Sequence, residues 1–140
     1  MHVTLLLADS AQVVAGKLFL LGAGWNIAGP GGSPIPMGVG IIVRVPWNET
    51  NQRHQFLAAL VTEDGEPVLN EKSEAIRAEG EFEVGRPPGV KPGASFNTPF
   101  ALQLTIPLEK GGYRWEVSVD GTRLADEAFM ITDRQLSNQS

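Results

Sequence analysis

The sequence predicts an all-β chain: a two-sheet antiparallel β-sandwich of immunoglobulin-like type with eight to nine strands. Three observations carry this. Apolar residues recur with period two along almost the whole chain, the spacing of half-buried strands. The 16 glycines and 10 prolines fall between the apolar runs, where they punctuate turns. No segment has the broad 3.6-period face of a packed helix. Many short strands separated by turn signals lead to two packed sheets, or less readily to a closed barrel.

The elements follow in order. Val3 to Ala8 reads as a strand. Lys17 to Leu21 reads as a second, after a turn at Ala15-Gly16, and Gly22 to Trp25 continues it with little side-chain bulk. Ala28 to Pro36, rich in Gly and Pro, reads as a loop. Val39, Ile41, Val43, Val45 and Trp47 alternate with Gly40, Ile42 and Arg44, and Pro46 marks an edge or an end. Gln55 to Thr62 is apolar on both faces and stops at the turn signal Glu63-Asp64-Gly65-Glu66-Pro67. Asn70 to Glu79 contains helix formers, but Ala75, Ile76 and Ala78 make no broad face. It reads as a polar turn, with a helical turn at Glu71 to Glu74 as the alternative, leading into a strand from Ala75 to Val84.

After the loop Gly85 to Gly93, Leu102, Leu104 and Ile106 alternate with Gln103 and Thr105, and Pro107 ends that strand. Tyr113, Trp115, Val117 and Val119 then point one way while Arg114, Glu116 and Ser118 point the other. Asp120-Gly121 is a favoured two-residue hairpin turn, and the return strand runs from Thr122 to Ile131. Residues 1–132 are expected to form one domain and 133–140 a polar tail.

Composition narrows the function classes. Hydrophobic residues make up 42% and charged residues 19%, an ordinary globular balance. The net charge of −5 and the scattered 11 Lys and Arg argue against a nucleic-acid partner, which needs a basic patch. With no cysteine there are no disulfides, thiolate metal sites or cysteine nucleophiles. The first residues carry no basic leader, and Asp9 interrupts the apolar run. Neither a signal peptide nor a membrane span is expected, and the expected location is cytoplasmic.

Two stretches are familiar. Gly112-Tyr113-Arg114-Trp115-Glu116-Val117-Ser118-Val119-Asp120-Gly121 resembles the penultimate strand of many immunoglobulin-like domains, where the Tyr sits at a corner and bonds back to backbone. More widely, the runs Ala8 to Val14, Gly16 to Trp25, Val45 to Asn48 and Phe82 to Gly89, with the Tyr113 strand, resemble a family of small bacterial proteins catalogued only as a domain of unknown function. That resemblance implies a bacterial or phage-associated source and a β-sandwich. It supplies no catalytic residue.

Candidate chemistry is sparse. His2 and His54 lack a second ligand at metal-binding spacing and read as surface or strand-end residues. Glu63, Asp64 and Glu66 read as a solvated turn, and Asp126-Glu127 as edge protection or a bulge. Gly29, Gly31 and Gly32 precede no helix, so they form no phosphate loop. No metal or other cofactor is expected. Trp115 should be buried. Trp25 beside Asn26, and Trp47 beside Asn48, lie near strand ends. They could stack a sugar, or cap the ends of the sandwich with each indole N–H on a carbonyl.

Apolar density on both faces of Leu5-Leu6-Leu7, Leu18 to Leu21 and Phe56 to Val61 requires cover, from a loop such as Ala28 to Pro36 or from a second subunit. The first expectation is thus a non-enzymatic binding or structural module that self-associates through a sheet face, as a homo-oligomer or with a protein partner. The alternative is a carbohydrate- or small-ligand-binding sandwich that uses Trp25, Asn26, Trp47 and Asn48. An enzyme whose carboxylates converge only in three dimensions comes third.

Overall fold

A computed structural model describes residues 1–133 of the chain. The fold is all-β. Ten strands occur in chain order: β1 (His2–Ala8), β2 (Ser10–Val14), β3 (Lys17–Leu21), β4 (Ile27–Ala28), β5 (Pro34–Val45), β6 (Arg53–Thr62), β7 (Arg77–Glu83), β8 (Phe96–Pro107), β9 (Gly111–Val119) and β10 (Thr122–Ile131). One 3₁₀ turn, Trp47–Glu49, follows β5. The strands form a three-stranded sheet β1-β5-β8, a five-stranded sheet β4-β10-β9-β6-β7 and a two-stranded ribbon β2-β3. Pairing is antiparallel apart from the short parallel contact of β4 with β10, so the larger sheet is mixed.

The period-two pattern sets the interior. Alternate residues of β5, from Ile35 to Val45, face one way and are buried. They meet Phe56, Ala58 and Leu60 of β6 and Trp115, Val117 and Val119 of β9 in a single apolar cluster. Phe56 stacks on Phe100 of β8 at 4.3 Å between centroids. Trp115, 1% exposed, donates its indole N–H to Met37 Sδ at 3.1 Å. The two larger sheets therefore face each other across one core.

The β9–β10 hairpin forms with its return strand Thr122–Ile131 as predicted, while β9 begins at Gly111, two residues ahead of Tyr113. Asp120 and Gly121 both take positive φ, 53° and 81°, the geometry a tight two-residue turn requires. The Tyr113 hydroxyl donates to the Glu109 carbonyl at 2.7 Å, the expected bond back to upstream backbone. A register shift between Arg123 and Ala125 puts a bulge just before Asp126-Glu127.

Several expectations are corrected. The loop from Ala28 to Pro36 is shorter, because β4 takes Ala28 and β5 begins at Pro34. Gly22 to Trp25 does not extend the strand of Lys17 to Leu21; the chain leaves it at Leu21. Ser10–Val14 forms a strand that the sequence did not announce. By contrast, the polar turn expected after Asn70 is present and no helical turn forms at Glu71 to Glu74; the Asn70 side-chain oxygen accepts from the Lys72 and Glu74 amides.

The β2–β3 ribbon settles what covers the second face of the smaller sheet. Gly38 and Gly40 point away from the core, and the ribbon lies directly on them. A β-carbon on Gly38 would stand 2.7 Å from Ala11 N, and one on Gly40 would stand 2.6 Å from Leu20 Cδ2. Gln103 of β8 fastens the ribbon, accepting from Ala11 N at 2.8 Å and donating to the Asp9 carbonyl at 3.2 Å. Over Gly38 and Gly40 the cover is the chain's own hairpin, while Leu6 beside them stays exposed.

Candidate functional site

The four residues singled out near the strand ends do not form one platform. Trp47 follows β5 in the 3₁₀ turn, at the end of the larger sheet where β6 begins. Trp25 precedes β4 and meets Phe129 edge-on at 6.2 Å; Phe129 pairs with Tyr113, which pairs with Thr62 at the end of β6. The two tryptophans are thus separated by most of β6, roughly 26 Å over eight residues.

Both rings are engaged within the chain. Trp47 has Phe96 stacked beside it at 6.3 Å and the Arg86 guanidinium over its ring at 3.9 Å. Arg86 is fixed there: its Nε donates to Thr50 Oγ1 at 2.6 Å and its second nitrogen to the Trp47 carbonyl at 2.8 Å. Asn48 is exposed and its carbonyl accepts from Gln52. Trp25 is half-buried. Its indole nitrogen is buried with no acceptor among the described residues, so the carbonyl expected to meet it is not there. Asn26 is exposed, and its carbonyl accepts from the Met130 amide at 2.8 Å.

Beside Trp47 lies a polar centre that sequence spacing concealed. His54 is a strand-end residue, as expected, but it is not on the surface; it is 3% exposed. Its Nδ1 lies 2.7 Å from Asp120 Oδ2 and its Nε2 2.7 Å from the Glu49 carbonyl. An ionised carboxylate and a carbonyl can only accept, so this geometry is fully satisfied when both ring nitrogens carry a proton. Burial pulls the His54 pKa down, but the Asp120 and Glu49 oxygens outweigh it and the net shift is upward. Asp120 is held below its ordinary value, first by the Gln55 amide and then by His54. With both nitrogens committed to fixed acceptors, the ring has none to offer a substrate. Its geometry is that of a clip joining the 3₁₀ turn to the β9–β10 turn. Such a pairing, 66 residues apart in sequence, has no local signature.

The outer face of the larger sheet is charged. Glu116 accepts from both Arg114 and Arg123, which hold its pKa below the usual value against the opposing effect of burial. Leu57 and Ala59, the second apolar face of β6, lie half-buried among such side chains.

The apolar surface lies elsewhere. In the ribbon, Ala11 pairs with Leu20 and Val13 with Leu18 on the side facing the sheet, while Gln12 pairs with Phe19 and Ser10 with Leu21 on the side facing out. Phe19 is 50% exposed and Leu21 72%. Val13, Val14 and Leu6 of neighbouring β1 are also exposed. Among the described residues these five are most of the eight large hydrophobic side chains left in solvent. Lys17 is the one charged residue between Ser10 and Leu21.

Among the described residues, no group of three or more His, Cys, Asp or Glu side chains is placed to hold a metal ion, and no helix is long and apolar enough to cross a membrane. No curated protein and no solved structure matches the chain. Residues 3–132 match a family described only as of unknown function, DUF6941, and over nearly its whole length the chain belongs to that family.

Proposed function

We propose that this chain is a binding and assembly module, an immunoglobulin-like sandwich that associates with a second copy of itself through the outward face of the β2–β3 ribbon. The observation that carries the reading is the concentration of exposed Phe19, Leu21 and Val14 on one two-stranded surface. Scattered single apolar residues are normal on a surface, whereas a contiguous patch marks an interaction site. A second copy suits the patch on charge. The molecule carries −5 overall, so most surfaces repel their own kind, but the ribbon's outward face bears only Lys17, at its turn end. A self-complementary patch closes as a twofold dimer. The fixed His54 ring supports binding over catalysis as the mode of action. A cysteine-free chain suits a reducing compartment such as the cytoplasm, where we place it.

Sedimentation velocity over a rising concentration series tests this. The parent chain is expected to dimerise, and Phe19→Glu with Leu21→Glu to remain monomeric with an unchanged melting temperature, since both side chains already face solvent. A strictly monomeric parent at the highest concentration would overturn the reading.

A further inference from the structure

The free edge of β8 is built unlike the edges of β7 and β10. β10 carries a bulge and the charges Asp126 and Glu127, and β1 runs alongside it. β7 carries Arg77, Glu79, Glu81 and Glu83. These are the usual devices that keep an edge from pairing with another chain. β8 has twelve residues and no charge, pairs only with β5, and receives no other backbone hydrogen bond among the described residues. Pro99 and Pro107 confine the open stretch to Phe100–Ile106, which contains no proline, glycine or charge.

Apolar surface flanks this edge on both sides. On the core side, Leu102, Leu104 and Ile106 remain half-buried, as do Val68 and Ile76 opposite them. A cleft of about 540 Å³ between the 68–76 segment and the end of β8 continues that seam. On the outer side the ribbon overhangs. Ala11 sits on Gly38 of β5, and Val13 lies two residues farther along, about 6.6 Å, whereas β8 is only about 4.8 Å from β5. Val13 faces the sheet side of the ribbon yet is 39% exposed, as a side chain projecting past the last strand would be.

We propose that the β8 edge is an acceptor for one added strand: an extended segment of another protein with alternating apolar residues and basic flanks. The backbone of Phe100–Ile106 supplies the ladder. The half-open seam takes alternate side chains on one face, and Val13 covers the other. The charge of the partner follows from the rim. Glu79, Glu81 and Glu83 lie on β7, the edge strand of the larger sheet, and Glu71 and Glu74 line the cleft, against Lys72, Arg77 and Arg53, of which Arg77 pairs with Glu79 and Arg53 with Glu81. The acidic excess selects a cationic flank and disfavours a second copy, whose β7 and β10 edges bring further acid.

Amide exchange by NMR on the full chain tests this. The probe is a synthetic peptide of alternating valine and threonine with a lysine at each end; a glutamate-ended version and an N-methylated version serve as controls. The lysine-ended peptide is expected to slow exchange in Phe100–Ile106 about tenfold or more and to leave the β7 and β10 edges unchanged. The glutamate-ended peptide should bind about tenfold more weakly, and the N-methylated one should give no protection. No protection in β8 at saturating peptide, equal protection at β7, or equal binding of the glutamate-ended peptide overturns the proposal. Protection of β8 that appears without peptide and vanishes on dilution would identify the occupant as a second copy and equally overturn it. The Phe19→Glu, Leu21→Glu chain should keep the full peptide response, so this proposal and ribbon-mediated dimerisation can fail separately.

Discussion

His54 ties the nearby 3₁₀ turn to the β9–β10 turn 66 residues away, and its protonation state decides whether it can. The folded pKa is raised above the ordinary 6.5, so its contribution is fully present below 6.5 and is lost as pH rises through the folded value. Asp120 is lowered from the ordinary 3.8, so its contribution is present above 3.8 and is lost as pH falls through the folded value. Stability should therefore peak between these two ordinary values and decline toward mild alkali, as urea midpoints across a pH series would show. His54→Phe keeps the ring volume against Phe82 but leaves Asp120 and the Glu49 carbonyl without their donor. It should cost about 2 kcal/mol at pH 5, below the range for a fully buried pair because Asp120 is half exposed. The variant should also flatten the decline above pH 6.5. Parallel pH curves for parent and variant would show that His54 is not the titrating clip. Sequence reading located His54 at a strand start but could not bury it, because its charged partner Asp120, 66 residues away, arrives through tertiary structure.

At the scale of elements, strands were legible where period and turn chemistry agreed. The β9–β10 hairpin has both: clean alternation and an Asp-Gly turn whose two positive φ values the sequence could supply. The start of β5 was illegible because Pro34 and Pro36 look like a loop. They are tolerated because β1 stops pairing at Ala8 opposite Gly38, so their missing N–H groups face no strand on that side. The ribbon was illegible as a cover, although its signal was present: Gly38 and Gly40 alternate with buried Met37, Val39 and Ile41, which marks a close approach of backbone. The two glycines should respond differently. A methyl at Gly38 meets the backbone of Ser10 and Ala11, which cannot move without lifting the ribbon, whereas at Gly40 it meets the tip of Leu20, which can rotate. Gly38→Ala should cost about 2 kcal/mol, within the range for overpacking, and Gly40→Ala clearly less. Equal losses in thermal or urea unfolding would mean that Leu20 is as immobile as the backbone.

For the whole molecule, the candidate sites divide between parts of unequal structural weight. The core cluster draws on β1, β5, β6, β9 and β10 and includes no residue of the ribbon. The ribbon's ends already meet, since Asp9 N donates to the Leu21 carbonyl at 3.0 Å. Beneath it lie Gly38, Gly40 and other small side chains such as Ala8, so its removal uncovers little apolar surface. Replacing residues 10–21 by a short glycine-serine link should therefore leave a cooperatively folding domain. The loss should be about 3 kcal/mol, the contacts of Leu18 and Leu20 with the sheet, out of a total that for domains of this size is roughly 5–15 kcal/mol. Dimerisation should disappear with the ribbon. Strand addition at β8 should weaken without vanishing, because the ladder and the core-side seam remain after Val13 is gone. Calorimetry and the lysine-ended peptide, applied to this one variant, separate the three roles of the ribbon as cover, interface and roof. A shortened chain that fails to fold would instead place the ribbon inside the cooperative unit, making Gly38 and Gly40 part of a second core.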